Sequence, residues 1–294
     1  GEAKLMHIVH LYDGHEMVHN GRGSVPGVVW NIARETASRG HEVTVLERQW
    51  QDLSPSEKHE SVQFKRLKIP TGASEPWTRI RYETATSATG LTRLIGDRTV
   101  FAAAALQQIA RMDIDVLHVH LPFAANVIAT VAPWLRSQMV YTAHLGELRL
   151  NLLDAKQGDN VSESDLDVPS VLAAFSPDVY LAKRATRTTV LNPDIETAFA
   201  DRGVEESSIR VIPNGVNIDR FGEVPSETLD RVRGEYDIAN RTVLLFVGTL
   251  VPRKGVTEFV RALERVVHKE GKDVTVVLAG ETDLDPQYVE RVET

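Results

Sequence analysis

The chain has 294 residues, with 33 basic and 41 acidic side chains and a formal net charge of −8. This length allows two domains, and 42% hydrophobic with 25% charged residues is the composition of an ordinary globular protein. The acidic balance disfavours a general nucleic-acid binder, which needs a basic face toward the phosphates. The lack of cysteine excludes disulfides, thiolate metal sites and catalytic thiols.

Short apolar runs alternate with amphipathic stretches, a pattern that predicts an α/β protein with a mostly parallel sheet. In chain order, the predicted strands are 6–12, 42–47, 62–67, 115–120, 139–142, 188–191, 209–212, 242–247 and 274–279. The predicted helices are 28–39, 100–112, 123–135, 169–175, 178–186, 193–202, 227–236, 256–268 and 286–294. The polar stretch 71–97 and the stretch 146–167 are predicted to be irregular.

The predicted elements fall into two domains, 1–221 and 222–294, joined by a linker at 213–221. Only two strands are predicted in the second domain. A parallel sheet needs both faces covered and further strands on its open edge. We therefore expect this domain to be incomplete and to expose apolar surface.

No apolar run approaches the ~18 consecutive residues of a membrane span. The N-terminus also lacks the pattern of a signal peptide. Both observations favour a cytoplasmic location.

A basic loop bounded by Gly248 and Gly255 joins the strand 242–247 to the helix after it, and it carries Arg253 and Lys254. Cations oppose the dipole at a helix N-terminus, whereas anions are bound there by free N–H groups. Two cations at this position therefore indicate an anion site, although a solvated basic loop is the simpler alternative.

The segment Ile209-Arg-Val-Ile-Pro-Asn-Gly-Val-Asn-Ile-Asp-Arg-Phe221 and the pattern Val-Gly-x-Leu-x-x-x-Lys-Gly at 247–255 together resemble the retaining glycosyltransferases of family 4. The resemblance implies the GT-B fold, with a Rossmann-like first domain on the acceptor side and a second that binds a nucleotide sugar. It also implies donor binding by residues of the second domain: Gly248, Thr249, Arg253, Lys254 and Gly280. Thr249 departs from the family pattern, which has arginine there.

The loop Gly21-Arg-Gly-Ser-Val-Pro-Gly27 leaves a second interpretation open. It nearly matches the dinucleotide fingerprint, and Glu47 ends the second strand where a ribose-binding acid would lie. An NAD-dependent oxidoreductase is therefore an alternative, although the fingerprint should follow the first strand directly. In family 4 a glycine pair precedes this helix, and the resemblance assigns Gly27 to donor phosphate binding.

Polar residues also follow the first, fourth and fifth predicted strands, and open α/β sheets bind ligands at the carboxyl ends of their strands. The resemblance places His144 in catalysis beside the donor sugar and His120 at the cleft. Asp13 and His15 are candidates for acceptor binding, with a solvated loop as the alternative. His15 with His19, or His118 with His120, are conceivable metal ligands, but no His-Glu-x-x-His motif or carboxylate cluster supports them. No metal is predicted.

The resemblance implies sugar transfer from a nucleotide-diphosphate sugar to a glycan, lipid or small-molecule acceptor, with retention of anomeric configuration and without a cofactor. Family members commonly act at membrane surfaces, which implies a peripheral contact at the inner face. The family's Glu-x7-Glu signature is missing, so we expect a truncated chain with impaired activity. A GT-B sugar-nucleotide epimerase and a non-catalytic glycan-binding module remain alternatives.

Overall fold

The computed structural model describes residues 4–21, 23–50, 52–70, 88–145, 176–239, 241–270, 274–282 and 285–293. The chain divides into two compact units, Gly1–Gly215 and Val216–Thr294. The predicted domain boundary after residue 221 stays a prediction. No helix in the described ranges has the length and apolar character needed to cross a membrane.

The first unit is an α/β structure. Its strands are β1 His7–Tyr12, β2 Glu42–Arg48, β3 Ser56–His59, β4 Val62–Leu67, β5 Val116–Val119, β6 Met139–Thr142, β7 Arg187–Val190 and β8 Ile209–Val211. Its α-helices are α1 Ser24–Ser38, α2 Ala88–Ile109, α3 Pro122–Val131, α4 Pro177–Ala182 and α5 Pro193–Ala200. Short 3₁₀ helices cover Pro133–Gln138 and Glu206–Ser208.

These strands form one sheet in the order β3-β4-β2-β1-β5-β6-β7-β8. All neighbours are parallel except the β3–β4 hairpin. The strand order reverses between β1 and β5, which makes their carboxyl ends a topological switch point. In open α/β sheets, ligands bind in the crevice at such a point. The mostly parallel sheet confirms the predicted fold class.

Helices cover both faces of this sheet. On one face, α1 buries Val29, Ala33 and Ala37 against strand residues that include Val45 and Phe64. On the other face, residues of α2 and α3 pack against the alternate strand positions, such as Leu46. Burial on both faces explains why the central strands are continuous apolar runs in the sequence.

Two element predictions are corrected by the structure, and one strand was missed. Helix α1 begins at Ser24, so Gly27 lies inside the helix and not in a loop before it. Helix α2 begins at Ala88, so residues 88–97 are helical and not irregular. The hairpin strand β3 was not predicted, because its turn residues Glu60 and Ser61 adopt positive φ without the glycine or asparagine that normally signals such a turn. The predictions at 146–167 and 169–175 lie outside the described residues.

The predicted helix ends are confirmed where local chemistry dictates them. The Asn192 side chain accepts a hydrogen bond from the Ile195 amide at 2.9 Å and caps α5. Gly40 and Gly203 follow α1 and α5 with φ of +92° and +78°, a conformation that strongly favours glycine.

The second unit contains α6 Ser226–Glu235, β9 Thr242–Val247, α7 Val256–Glu270, β10 Val274–Ala279 and α8 Pro286–Glu293. Strands β9 and β10 pair in parallel, and one side of them packs on a small core formed by Leu250, Val256, Tyr288 and Val289. On β9, Leu245 and Val247 are 60% and 74% exposed. The apolar exposure expected from the sequence is therefore present, while incompleteness of the domain stays a prediction.

Candidate active site

Four histidines, which we call the histidine cluster, lie at the carboxyl ends of three neighbouring strands in the first unit. They are His10 on β1, His118 on β5, and His120 and His144 just beyond β5 and β6. His10 pairs directly with His118 across the β1–β5 ladder, and strand alternation puts His120 on the same side as His118. The cluster therefore follows from strand register at the switch point.

Three members of the histidine cluster are joined by hydrogen bonds. His10 Nδ1 lies 2.9 Å from His120 Nε2, and His120 Nδ1 lies 3.1 Å from His144 Nε2. The exposed fraction of these three residues is between 0% and 4%. This chain of rings brings together His120 and His144, the two histidines that the sequence analysis places at strand ends.

Burial keeps three members of the histidine cluster neutral, namely His10, His118 and His120. Desolvation lowers the pKa of His10 and His120 well below the usual histidine value, and neighbouring histidines lower both further. Desolvation also lowers the pKa of His118 to about 4. Neutral rings at pH 7 can orient a ligand through hydrogen bonds, but they add no positive charge to the site.

A metal ion is the other ligand that neutral histidines attract. Within the described ranges, His10, His118 and His120 each place a ring nitrogen within 4.8 Å of the others. However, both ring nitrogens of His120 already make hydrogen bonds, and His118 Nε2 lies 2.7 Å from Thr142 Oγ1. A metal would have to displace these contacts. The expectation that no metal binds stays a prediction.

Asp13 and His15 lie beside this edge in a buried ion-pair network. Asp13 accepts a hydrogen bond at 3.0 Å from the Ala124 amide in the first turn of α3 and lies 3.5 Å from Arg98 Nε. Arg98 Nη2 also lies 2.8 Å from His15 Nε2. These contacts fix the loop after β1. Acceptor binding by Asp13 and His15 stays a prediction.

The loop before α1 is held by carboxylates. Glu16 accepts a hydrogen bond from the Gly23 amide at 2.9 Å, and Glu47 accepts one from the Val18 amide at 2.7 Å. Glu47 is fully buried and paired with Arg66 Nε at 2.8 Å. A ribose-binding acid has to face a ligand, so this geometry does not favour the NAD-dependent oxidoreductase. An added Cβ at Gly27 would meet no atom within 4 Å, so its place in α1 leaves room beside the backbone.

In the second unit, the loop after β9 leads directly into α7. Gly248 has a φ of +158° and its amide donates to the Ala279 carbonyl at 2.9 Å. Residues Pro252–Lys254 form a 3₁₀ turn, and Gly255 at φ +72° ends that turn before α7 begins. Lys254 is exposed beside the N-terminus of α7, and Thr249 lies partly buried in the same loop. The side chain of Arg253 is outside the described residues.

Gly280, which follows β10, packs closely against the backbone of Gly248 in this loop. A Cβ on Gly280 would lie 1.8 Å from the Gly248 carbonyl oxygen, a distance that no side chain tolerates. Gly248 and Gly280, two predicted donor residues, are therefore brought together by backbone packing at the ends of β9 and β10.

We expect Gly280→Ala to destabilise the second unit by about 2 kcal/mol, because the backbone must shift to relieve the overlap. Gly234→Ala in α6 is the matched control, since its Cβ would meet no atom within 4 Å and alanine favours a helix. Urea unfolding of the full chain measures both. A Gly280→Ala variant as stable as the Gly234→Ala control would contradict the packing argument.

Comparison of the sequence with protein families identifies the family of the chain. The model for glycosyltransferase family 4 matches residues 25–220. This chain belongs to that family. The match covers most of the first unit from α1 onward, including β5, β6 and three members of the histidine cluster, His118, His120 and His144. No curated protein matches the chain.

Solved structures similar to this chain confirm the GT-B fold. Sucrose-phosphate synthase from Thermosynechococcus elongatus aligns over 98% of this chain and 73% of its own, with 17% identity and a TM-score of 0.65. HepE from Anabaena, solved with UDP-glucose, aligns over 98% of this chain and 64% of its own, with 19% identity and a TM-score of 0.60. A glycosyltransferase from Rickettsia africae aligns over 99% of this chain and 64% of its own, with 16% identity and a TM-score of 0.61. The chain thus spans about two thirds of such proteins.

His10 is the main cluster residue that the sequence did not reveal. It lies within a buried apolar strand, where a histidine is read as part of the core. Only the pairing of His10 with His118 shows that it reaches the switch point. Arg98 was missed for a different reason, because the helix that carries it was predicted to begin only at residue 100.

Proposed function

We propose that this family 4 protein transfers a sugar from a nucleotide-diphosphate sugar to an acceptor with retention of anomeric configuration. The observation that carries the proposal is the loop 248–255, which brings Lys254 to the start of α7, together with the close packing of Gly248 on Gly280 at the ends of β9 and β10. A helix N-terminus with free amide donors and a nearby cation is a site for a diphosphate. HepE, which is similar in fold, was solved with UDP and with UDP-glucose.

In this proposal, the bond between the sugar and the diphosphate breaks through an oxocarbenium-like state. Negative charge then develops on the departing diphosphate, and pre-positioned donors stabilise it without reorganising. Lys254, Arg253 and the amides at the start of α7 supply that stabilisation. Gly248, Thr249, Gly280 and Gly27 allow the backbone to approach the donor.

His144 orients the donor sugar through a hydrogen bond from its ring. Asp13, His15 and His120 contact the acceptor, which is a glycan, a lipid or a small molecule. The donor phosphate takes the acceptor's proton, so no protein base is required. We place the reaction in cytoplasmic glycan biosynthesis, with peripheral contact at the inner membrane face.

Calorimetric titration with UDP, GDP and ADP tests the donor site. We expect one of these nucleotides to bind, and Lys254→Ala to weaken it about 10- to 100-fold, the effect of losing a charge-assisted contact worth about 1.5–3 kcal/mol. Arg265→Ala is the matched control, because Arg265 is an exposed cation further along α7. Equal binding by wild type and Lys254→Ala would contradict the loop assignment. With a turning-over enzyme, NMR of the product's anomeric carbon would test retention.

Neither the sugar-nucleotide epimerase nor the non-catalytic glycan-binding module is favoured by any feature of the described residues. The titration also separates the module from the transferase, since a glycan-binding module would bind sugars and ignore nucleotides.

A further inference from the structure

The hydrogen-bonded chain from His10 through His120 to His144 couples the proton positions of three rings. A neutral imidazole carries one proton, so one ring nitrogen donates and the other accepts. His120 uses both of its nitrogens within the chain, Nε2 toward His10 and Nδ1 toward His144. Once the tautomer of one ring is set, the other two follow, and only two arrangements exist.

In the first arrangement, His10 donates from Nδ1 to His120 Nε2. His120 then donates from Nδ1 to His144 Nε2, and the proton of His144 must be on its own Nδ1. In the second arrangement every proton is reversed. His144 then donates from Nε2, and the proton of His10 is on its Nε2.

The environment of His10 Nε2 distinguishes the two arrangements. This nitrogen is buried and has no hydrogen-bond partner, and His10 as a whole is 0% exposed. The second arrangement would place an N–H there without an acceptor, and orphaned N–H groups are rarer in folded proteins than under-satisfied acceptors. The first arrangement leaves only an unused lone pair at that position.

We propose that His10 is a positioning residue which, through His120, fixes the tautomer of His144 with the proton on Nδ1. The low pKa of His10 and of His120 supports this, because both rings stay neutral when the enzyme works near pH 7. The tautomer itself does not depend on the reaction. Its use does rest on the proposed sugar transfer, in which His144 faces the donor sugar.

The consequence for the site is that the donor and acceptor nitrogens of His144 are fixed. In this arrangement Nε2 of His144 accepts from His120 Nδ1, so the proton of the His144 ring lies on Nδ1 and that nitrogen can only donate. A donor recognises hydroxyl and ring oxygens of a sugar. The same nitrogen cannot act as a base, which agrees with the absence of a protein base from the proposed reaction.

The test is ¹⁵N NMR of the full chain labelled at histidine, with long-range proton–nitrogen correlations that distinguish protonated from unprotonated ring nitrogens. In the wild-type protein near pH 7, we expect His10, His120 and His144 each to carry the proton on Nδ1. Observation of His144 with its proton on Nε2 would overturn the proposal without any variant.

Two substitutions of His10 test its role. His10→Phe keeps a buried ring but cannot donate, so we expect His144 to lose its single tautomer and show a mixture. His10→Asn can donate from its amide to His120 Nε2, so we expect it to restore the Nδ1–H form. An unchanged His144 spectrum in a folded His10→Phe variant would overturn the proposal.

His7→Phe is the matched control, since His7 lies on the same strand but bonds to Thr44 and the Asp113 carbonyl, outside the histidine cluster. We expect it to leave the His144 signals unchanged. The NMR measurement needs no nucleotide sugar. Its failure is therefore distinct from failure of the proposed function, which the calorimetric titration tests separately.

Discussion

Replacing Arg66 with methionine is expected to reduce the free energy of unfolding by about 3–5 kcal/mol, because it leaves a buried carboxylate without its partner. Arg66 Nε lies 2.8 Å from Glu47 Oε1, and the two side chains are 1% and 0% exposed. Arg66 Nη1 also donates to the Ser54 carbonyl and pairs with Glu57 at 2.7 Å. Urea unfolding followed by circular dichroism measures the loss.

The sign of the pH dependence follows from Glu47. Burial raises the pKa of this carboxyl above its usual value even with Arg66 present, so its ionised form is the costly one. A carboxyl group whose pKa is higher in the folded than in the unfolded protein destabilises the fold at pH values above the folded pKa. This cost is absent at pH values below the pKa of the unfolded chain. The loss in free energy of unfolding caused by Arg66→Met should therefore become smaller as the pH falls toward the ordinary carboxyl range, where Glu47 becomes neutral.

A double variant controls for lost packing. Glu47→Gln combined with Arg66→Met replaces the ion pair by neutral groups of similar size, and we expect it to recover most of the loss. A single Arg66→Met variant within about 1 kcal/mol of wild type would show that the pair does not stabilise the fold. Since Glu47 also holds the Val18 amide, the single variant should loosen the loop that carries Asp13 and His15.

The second large effect is loss of stability in mild acid. His10, His118 and His120 have lowered pKa values in the folded protein, so the unfolded chain takes up protons first. For His118 the window runs from the unfolded value of 6.5 down to about 4. Stability is fully present above that window and falls through it, on the order of 3 kcal/mol in total for His118 alone.

Urea midpoints between about pH 7 and pH 5 isolate this effect, because ordinary carboxylates stay largely ionised there. His118→Gln is the informative variant, because its amide can hydrogen-bond to the Thr142 hydroxyl but does not take up a proton in this pH range. We expect it to have a smaller pH slope than wild type. A wild-type stability that stays constant over this range would show that the histidines are not kept neutral by burial.

Much of the fold was predictable because buried strands and helix ends carry local signals. The strands 62–67, 139–142, 242–247 and 274–279 have the same bounds in prediction and structure, since the first alternates apolar with polar residues and the other three are mostly apolar runs. The Asn192 cap and the left-handed Gly40 were likewise predictable, because each depends on a single residue type.

The start of α2 could not be predicted, because its core-facing surface is partly charged. Asp97 is buried between Arg48, at 2.5 Å, and Arg98, at 3.1 Å. In the sequence, Asp97 and Arg98 interrupt the apolar period and indicate solvent exposure. Their burial depends on Arg48, which lies far away in the chain, so only the tertiary structure reveals it.

The candidate site divides in the same way. Strand ends gave His120 and His144 as candidate site residues, and the structure places their rings 3.1 Å apart. The sequence could not show that His10 completes the chain, since that depends on strand register. The backbone contact of Gly280 with Gly248 could not be predicted either, because no sequence pattern indicates which residue packs against a given glycine.

The histidine cluster has a consequence for how the protein is made. Its first hydrogen bond joins residues 110 positions apart, and its second needs residue 144. Contacts of such sequence separation form only after long loops have closed. On the ribosome, His10 is thus an ordinary solvated imidazole until β5 and β6 have emerged. The titration of this one ring would mark the moment when the centre of the sheet is assembled.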